Sequence, residues 1–401
     1  MTILYLSSVL PKRSETFVYG EVLGLRELGL DVPVATLHPP ERGLDEPRLE
    51  RLADEAVPVY GGGWAALLAD ALRFALAAPA VAARVMLRAL RDALDADDLG
   101  VGARAKPPLQ AVAALALARR LAGRGVTHIH IHMAHAAATV GMYAAQALGV
   151  PFSFTGHAAD LFRERCLLRR KLGRARFVVC ISDWHRQWYR GLVARDDRAY
   201  PVVRCGVDIP ERPPERAACG TLRILGLGRL VPKKGFGTLV EACRQLTADG
   251  IAVACVIAGD GPEEAALKQA ADGLPVEFPG AVAHHEVPRL LAACEVCVLP
   301  CQTGADGDRD GIPVVLMEAM AHGVCVVSGD LPTIRELVRD GETGLLVPPG
   351  QPRTLAARLA ELQRHPQRRR ALAAAGRQLV RNDFSRDGNL NRLVQLFASD
   401  S

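Results

Sequence analysis

The sequence predicts an α/β protein made of two doubly wound, Rossmann-like domains facing a central cleft. Three observations predict this. Short apolar runs alternate with segments of helical period from end to end, the rhythm of parallel βαβ units covered on both faces. About twelve such runs occur, which suits two sheets of about six strands better than one. A proline-rich, charged segment divides them near mid-chain, and 401 residues suffice for two ordinary domains.

In the first half, strands are expected at Ile3–Ser7, Val32–Leu37, His128–His132, Pro151–Thr155, Phe177–Ile181 and Ala199–Val203. Each is a short run rich in apolar or β-branched residues between polar or turn-forming neighbours. Helical period fills Glu15–Gly29 and Gln110–Gly123. Residues 64–105 are rich in Ala, Leu and Arg, with spacing suited to one or two amphipathic helices. They read either as a helical insertion packed on the first domain or as a surface touching membrane or an acceptor lipid. The basic run from Arg163-Glu-Arg165 through Arg169, Arg170, Lys171, Arg174 and Arg176 carries the same two readings.

The boundary follows Gly206-Val207-Asp208, where Ile209-Pro-Glu-Arg-Pro-Pro-Glu-Arg216 reads as a linker. Strands resume at Arg223–Leu227, Ala252–Ala258, Val276–Phe278, Val296–Pro300, Val324–Ser328 and Gly344–Val347. Helices are expected at Gly237–Ala248, Pro288–Ala293 and about Arg386–Phe397. The expected domains are 1–208, 209–383 and a terminal helix within 384–401 that returns to the first domain.

Composition narrows the function. Net charge is +5, from 49 basic and 44 acidic residues, so charge gives no reason to expect nucleic-acid binding. The start, Ile3-Leu4-Tyr5-Leu6, lacks a basic n-region and a cleavage site, and it reads as a buried strand. The longest apolar stretch, Trp64 to Ala83, is broken by Asp70, Arg73 and Pro79, so no spanning helix is expected. All ten cysteines fall between Cys166 and Cys325, several inside strand-like runs, as reduced buried cysteine is used in a cytosolic protein. Cys294, Cys297 and Cys301 lack a second pair at zinc-ligand spacing, and no metal site is expected there.

Two stretches carry the chemistry. Gly228-Arg229-Leu230-Val231-Pro232-Lys233-Lys234-Gly235 puts cations just after a strand. Asp310-Gly311-Ile312-Pro313 is a tight turn, after which Val314 through Ala321 reads as a helix with Pro313 at its first position and Glu318 one turn along. Cations and free helix N–H groups suit a diphosphate, and carboxylates suit sugar hydroxyls. The Gly-x-Gly at the end of Arg223–Gly228 lacks a third glycine and a following acidic residue, which disfavours an NAD oxidoreductase. Asp306-Gly-Asp308 imitates a metal-binding DxD but reads as loop chemistry.

These segments resemble family 4 glycosyltransferases, the retaining group with the two-domain GT-B fold. The first stretch is similar to that family's G-R-x4-K-G pattern, and Asp310 to Glu318 is similar to its E-x7-E motif, continuing as Glu318-Ala-Met-Ala321. Ile257-Ala-Gly-Asp-Gly-Pro262, Gly280-Ala-Val282 and Gly341-Glu-Thr-Gly-Leu-Leu-Val347 extend the likeness over most of residues 200–350. Pro11-Lys-Arg-Ser-Glu-Thr-Phe17 and Ser153-Phe-Thr-Gly-His157-Ala-Ala-Asp160 resemble the exopolysaccharide subgroup, including colanic-acid-type enzymes. One position departs: Asp310 stands where the family has glutamate.

The resemblance implies roles. Arg229 and Lys234 would bind the diphosphate and offset charge on the leaving nucleotide, and Glu318 would hold the ribose. Asp310, with the backbone of Gly311, Ile312, Pro313, Val314 and Val315, would hold the donor sugar. Gly228, Gly261 and Val282 would line the nucleotide. His157 would face the donor sugar and phosphate across the cleft, while His130 and His132 would be structural or at the cleft edge. Ser14, Glu15 and Thr16 either cap the first helix or line the acceptor side. The implied reaction is retaining transfer from a UDP- or GDP-sugar to a glycan or lipid-linked acceptor, with no metal or other cofactor required. Its implied location is the cytoplasm or the inner face of the membrane. A nucleotide-sugar epimerase of the same fold, and a non-catalytic sugar-nucleotide-binding scaffold, are the alternatives.

Overall fold

A computed structural model describes residues 1–44, 46–157, 166–214, 220–305 and 307–399. Asp160, Arg163 and Arg165, the linker residues Glu215 and Arg216, and Asp306 lie outside the described residues. The chain forms two compact units: Met1–Arg204 with Leu390–Ser401, and Cys205–Asn389.

The first unit holds a parallel sheet of β1 (Thr2–Ser7), β2 (Val34–Thr36), β3 (Val57–Pro58), β4 (Val126–His132), β5 (Phe152–Thr155) and β6 (Val178–Val179), in the order β3-β2-β1-β4-β5-β6. The second holds β7 (Leu222–Leu227), β8 (Val253–Ala258), β9 (Val276–Gly280), β10 (Val296–Leu299), β11 (Cys325–Gly329) and β12 (Leu345–Val347). Its order, β9-β8-β7-β10-β11-β12, repeats the same doubly wound topology. In each unit the order reverses between the first and fourth strands. Tyr5 pairs with His130 at that point in one sheet, and Leu225 with Cys297 in the other.

Burial explains the near-continuous apolar runs. Leu222–Leu227 and Val296–Leu299 are covered on both faces, so their side chains need not alternate. The expected strand at Ala199–Val203 is reduced to one bridge, Cys180 with Val202. Pro201 has no N–H to donate, so the ladder cannot extend through it. Helices occupy Thr16–Glu27, Lys106–Leu121, Phe236–Ala248, Val287–Ala293 and Arg386–Ala398, close to expectation. Residues 64–105 contribute two helices, Gly63–Ala77 and Pro79–Asp95. No described helix is long and apolar enough to cross a membrane.

The last helix begins in the second unit and ends in the first. Leu390, Leu393 and Phe397 are buried in the first unit's core with Ile3, Tyr5 and Phe177. At its start, Val207 N–H donates to Phe384 O and Arg386 N–H to Val207 O, both at 2.9 Å.

Candidate active site

In the second unit, the segments after β7 and β10 meet where the strand order reverses, the usual ligand position in open α/β sheets. The chain leaves β7 through Gly228, makes a 3-10 turn at Pro232–Lys234, and enters the helix Phe236–Ala248 through Gly235. Gly235 has φ +71°, and a Cβ there would lie 2.1 Å from Pro300 O at the end of β10. Only glycine fits this close approach. Gln302 fastens the two segments, its N–H donating to Lys233 O at 2.9 Å and its Nε2 to Pro232 O at 2.7 Å.

This junction gathers charge. Lys234 Nζ lies 2.8 Å from Asp310 Oδ2. Lys233 Nζ lies 3.4 Å from Asp310 Oδ1 and 3.1 Å from Asp308 Oδ2. Cys301 Sγ donates to Asp310 Oδ2 at 3.4 Å, and Thr333 Oγ1 donates to Asp310 O at 3.0 Å. Burial pushes the Asp310 carboxyl up, but Lys234 and Lys233 outweigh it and hold the group below its ordinary range. Burial likewise pulls Lys234 down, and Asp310 together with Cys301 more than compensates. Arg229 is exposed and close enough to Lys234 for the two cations to repel, so three cations gather around the two carboxylates of Asp308 and Asp310. The excess of one positive charge suits an anion.

Both Asp310 oxygens are therefore engaged by lysine in this structure. Gly311 and Ile312 lead to Pro313, which is the N-cap and not the first helical residue: its ψ of 127° is extended. The helix Val314–Ala321 begins behind it, so the Val314 and Val315 N–H groups belong to its open first turn. Glu318 lies apart from the lysines. Its side chain is 17% exposed, and His284 Nδ1 is 3.9 Å from its Oε1. Burial pushes Glu318 up; His284 opposes this and Asp208 adds to it. Val282 lies on the same post-β9 segment as His284, packed against the core. Gly261 has no room for a side chain, since a Cβ would sit 2.4 Å from Leu230 O. It lets the loop after β8 close against the loop after β7.

In the first unit the reversal point is lined by packed imidazole and phenyl rings. His132 Nδ1 is 3.2 Å from His157 Nε2, and the rings stack at 17°. His132 Nε2 is 3.0 Å from Glu21 Oε1, which also accepts from Tyr5 OH at 2.7 Å. Phe17 covers His157, with ring centroids 4.6 Å apart. His130 Nδ1 and His128 Nε2 share the Ser153 hydroxyl at 2.8 and 2.7 Å. Burial pushes His128 down to about 3, and it holds His130 and His157 well below the ordinary range. Glu21, His130 and His132 bring donor atoms within 4.8 Å of one another, a possible metal triad. His132 is hydrogen-bonded to Glu21, whereas His130 lies 3.8 Å from that carboxylate and bonds Ser153 and Thr155 instead.

The structure thus joins Lys234 with Asp310, and His157 with the segment ending at Phe17. Ser14 is exposed, and Glu15, at the N-cap of Thr16–Glu27, makes no side-chain cap bond. It turns instead to Lys12 Nζ at 2.6 Å, leaving Thr16 as the first helical residue. Sequence reasoning missed Lys233, Asp308, His284 and Glu21. Lys233 stood in the motif beside Lys234, but nothing in the pattern signals that both would turn to Asp310.

The family model described as "Glycosyl transferases group 1" matches residues 210–379, and "Glycosyltransferase Family 4" matches residues 87–211. The chain is similar to WcaL of Salmonella typhimurium, a protein named for colanic acid biosynthesis, at 40% identity over 49% of this chain and 50% of the relative. It is similar to the amylovoran biosynthesis glycosyltransferase AmsK of Erwinia amylovora at 35% identity over 60% and 62%. The chain thus spans about half to three-fifths of the length of these curated relatives. Among solved structures, Anabaena HepE in complex with UDP-glucose superposes with TM-score 0.70 at 19% identity, covering 100% of both chains. That likeness is one of fold, and the fold is the GT-B class of two Rossmann-like domains.

Proposed function

We propose, for a chain that carries a glycosyltransferase family 4 domain and a glycosyl transferases group 1 domain, that it moves a sugar from a nucleotide-diphosphate sugar to a glycan or lipid-linked acceptor. The observation that carries this reading is the cationic junction of Lys233, Lys234 and Arg229 beside an open helix N-terminus. Cleavage of the anomeric C–O bond leaves an oxocarbenium-like sugar and a nucleoside diphosphate. The junction stabilises that departing charge, and it supplies the positive field that a metal ion supplies elsewhere. Asp310 holds both ammonium groups in position before the diphosphate arrives, and it turns to the sugar once the diphosphate takes the lysines over. Glu318 accepts the ribose hydroxyls. His157, neutral through burial, offers a hydrogen-bonding group to the transferred sugar without adding charge. In this reading the anomeric configuration is retained by same-face attack. Nine free cysteines among the described residues suit a reducing compartment, and we assign the reaction to the cytoplasm, at the inner face of the membrane. Names of relatives point to an exopolysaccharide or cell-surface glycan.

The test is a panel of UDP- and GDP-sugars, scored for melting-temperature shift and for product with and without a lipid-linked glycan acceptor. UDP-glucose comes first, because HepE was solved with it. One donor should stabilise wild type and not Lys234→Ala, and transfer should require acceptor. Epimerised donor in the absence of acceptor would replace this reading with that of an epimerase. Binding without turnover would replace it with that of a scaffold.

A further inference from the structure

Two helices of the first unit carry apolar side chains on the wrong side for a water-facing surface. Gly63–Ala77 buries Leu67 and Ala71, and Pro79–Asp95 buries Ala82, Val85, Ala89 and Ala93, so each already has a core face. Both pack on the helix Lys106–Leu121. Yet Trp64, Leu68, Leu72 and Leu76, spaced four apart, are 61, 55, 60 and 75% exposed. On the second helix Leu87, Leu90 and Leu94 are 56, 47 and 66% exposed. A surface helix of a globular domain is normally polar there, and scattered single leucines would need no explanation. Two continuous stripes do.

Charge distinguishes the occupant. Arg84, Arg88 and Arg91 run beside the Leu87–Leu94 stripe at spacings of four and three, all exposed. None has a hydrogen-bond or ion-pair partner among the described residues. The acids Asp70 and Asp92 are neutralised elsewhere: Arg120 holds Asp70 at 2.9 Å, and Arg174 and Tyr143 hold Asp92, which is buried. Asp95, at the end of the second helix, is exposed four residues after Arg91, so three arginines face one acid and the outward face is apolar with a net positive charge. Protein–protein interfaces also use arginine, but a protein partner would have to offer acids in register with Arg84, Arg88 and Arg91, whereas a layer of anionic phosphates meets such a row at any register. Here arginines interleave with leucines along the helix, with Trp64 at one end, as in helices that lie in a bilayer interface. A cavity of about 370 Å³, lined by Tyr60, Trp64, Leu109 and Lys106 among others, opens beside Trp64 and adds apolar walls with a cation.

We propose that the outer face of these two helices is a docking surface for a bilayer containing anionic phospholipid. The leucine stripes enter the acyl boundary, and Arg84, Arg88 and Arg91 meet the phosphates, their stems lying along the apolar surface. The proposal names the surface behind the membrane location assigned above, and it fails or stands apart from the transferase reading because docking is read without nucleotide sugar.

The experiment is co-sedimentation of the full chain with phosphatidylcholine vesicles and with vesicles containing phosphatidylglycerol. Wild type should partition onto the anionic vesicles, more weakly at high salt. Arg84→Glu/Arg88→Glu/Arg91→Glu should lower that partition about 100-fold. Leu68→Ser/Leu72→Ser/Leu76→Ser should lower it at least about tenfold on either vesicle. All six positions are exposed, and unchanged circular dichroism melting will establish that the variants fold. Equal partition of wild type and the leucine variant overturns the proposal. So does an absence of vesicle binding, and so does a dimer, detected by light scattering, that the leucine variant dissolves.

Discussion

The two units share one strand order and differ in what they present where that order reverses. The second presents ions: Lys233 and Lys234 against Asp308 and Asp310. The first presents rings: His130, His132 and His157 with Tyr5 and Phe17, tied to the carboxylate of Glu21 through His132 and Tyr5. Topology therefore fixes where a ligand can sit, while the few residues after the strands fix what it can be. A cationic junction suits a diphosphate. A buried histidine cluster suits hydroxyl groups, which need hydrogen bonds and no counter-charge.

The sharpest way to break this contrast is Lys234→Ala. If the junction binds the diphosphate, kcat/KM should fall about 1,000-fold, and the affinity for UDP alone should fall with it. Calorimetry with the free nucleotide reads this directly, and unchanged UDP binding would remove Lys234 from the diphosphate site. His157→Ala is the counterpart. Transfer should fall about 100-fold, while UDP binding stays within about twofold. A parallel loss of UDP affinity would show that the histidine cluster is not specialised for the sugar.

Acid should separate the units as well. A histidine whose folded pKa is depressed contributes stability that is full above its unfolded value near 6.5 and is lost as pH falls below it, because the unfolded chain takes up the proton. For His128, held at about 3, the loss at pH 5 is about 2 kcal/mol. His130 and His157 act in the same direction. Asp310 is an acid with a depressed pKa, so its contribution persists above the ordinary carboxylate range and is lost only as pH falls through its folded value. Hydrogen-exchange protection, taken relative to the intrinsic amide rate at each pH, should therefore be lower at pH 5 than at pH 7 in β4 and β5 and nearly unchanged in β10. A uniform loss of protection in both sheets would contradict the assignment.

The contrast was only half legible in the sequence. Strand positions were readable because buried parallel strands leave apolar runs, and Arg223–Leu227 and Val296–Pro300 fall almost on β7 and β10. Cations after β7 and the turn at Asp310 were readable because they are local. The pairing of Lys234 with Asp310 was not, since it joins residues 76 positions apart through two loops. Glu21 was hidden for a related reason. It sits within a helical stretch where a glutamate normally faces water, and only the fold reveals that it meets His132, 111 positions away. His284 beside Glu318 is a third case: the 3-10 turn after β9 that carries it has no strong signal.

Glu318 sharpens the comparison from the other side, because it is the one carboxylate of the second unit's candidate site that no lysine compensates. Burial raises its pKa, Asp208 raises it further, and His284 at 3.9 Å opposes this only in part. An acid with a raised folded pKa lowers stability once the pH exceeds its unfolded value near 4.3, because the folded state resists ionisation. Glu318→Gln should therefore melt above wild type at pH 7, and the gap should close as pH falls toward 4. If Glu318 is there for ribose hydroxyls, the same variant should bind UDP about tenfold more weakly, because charged acceptors make the stronger hydrogen bonds. Higher stability joined to weaker binding identifies a residue retained for its ligand. Lower stability at pH 7 would instead make Glu318 a structural partner of His284, and the ribose assignment would go with it.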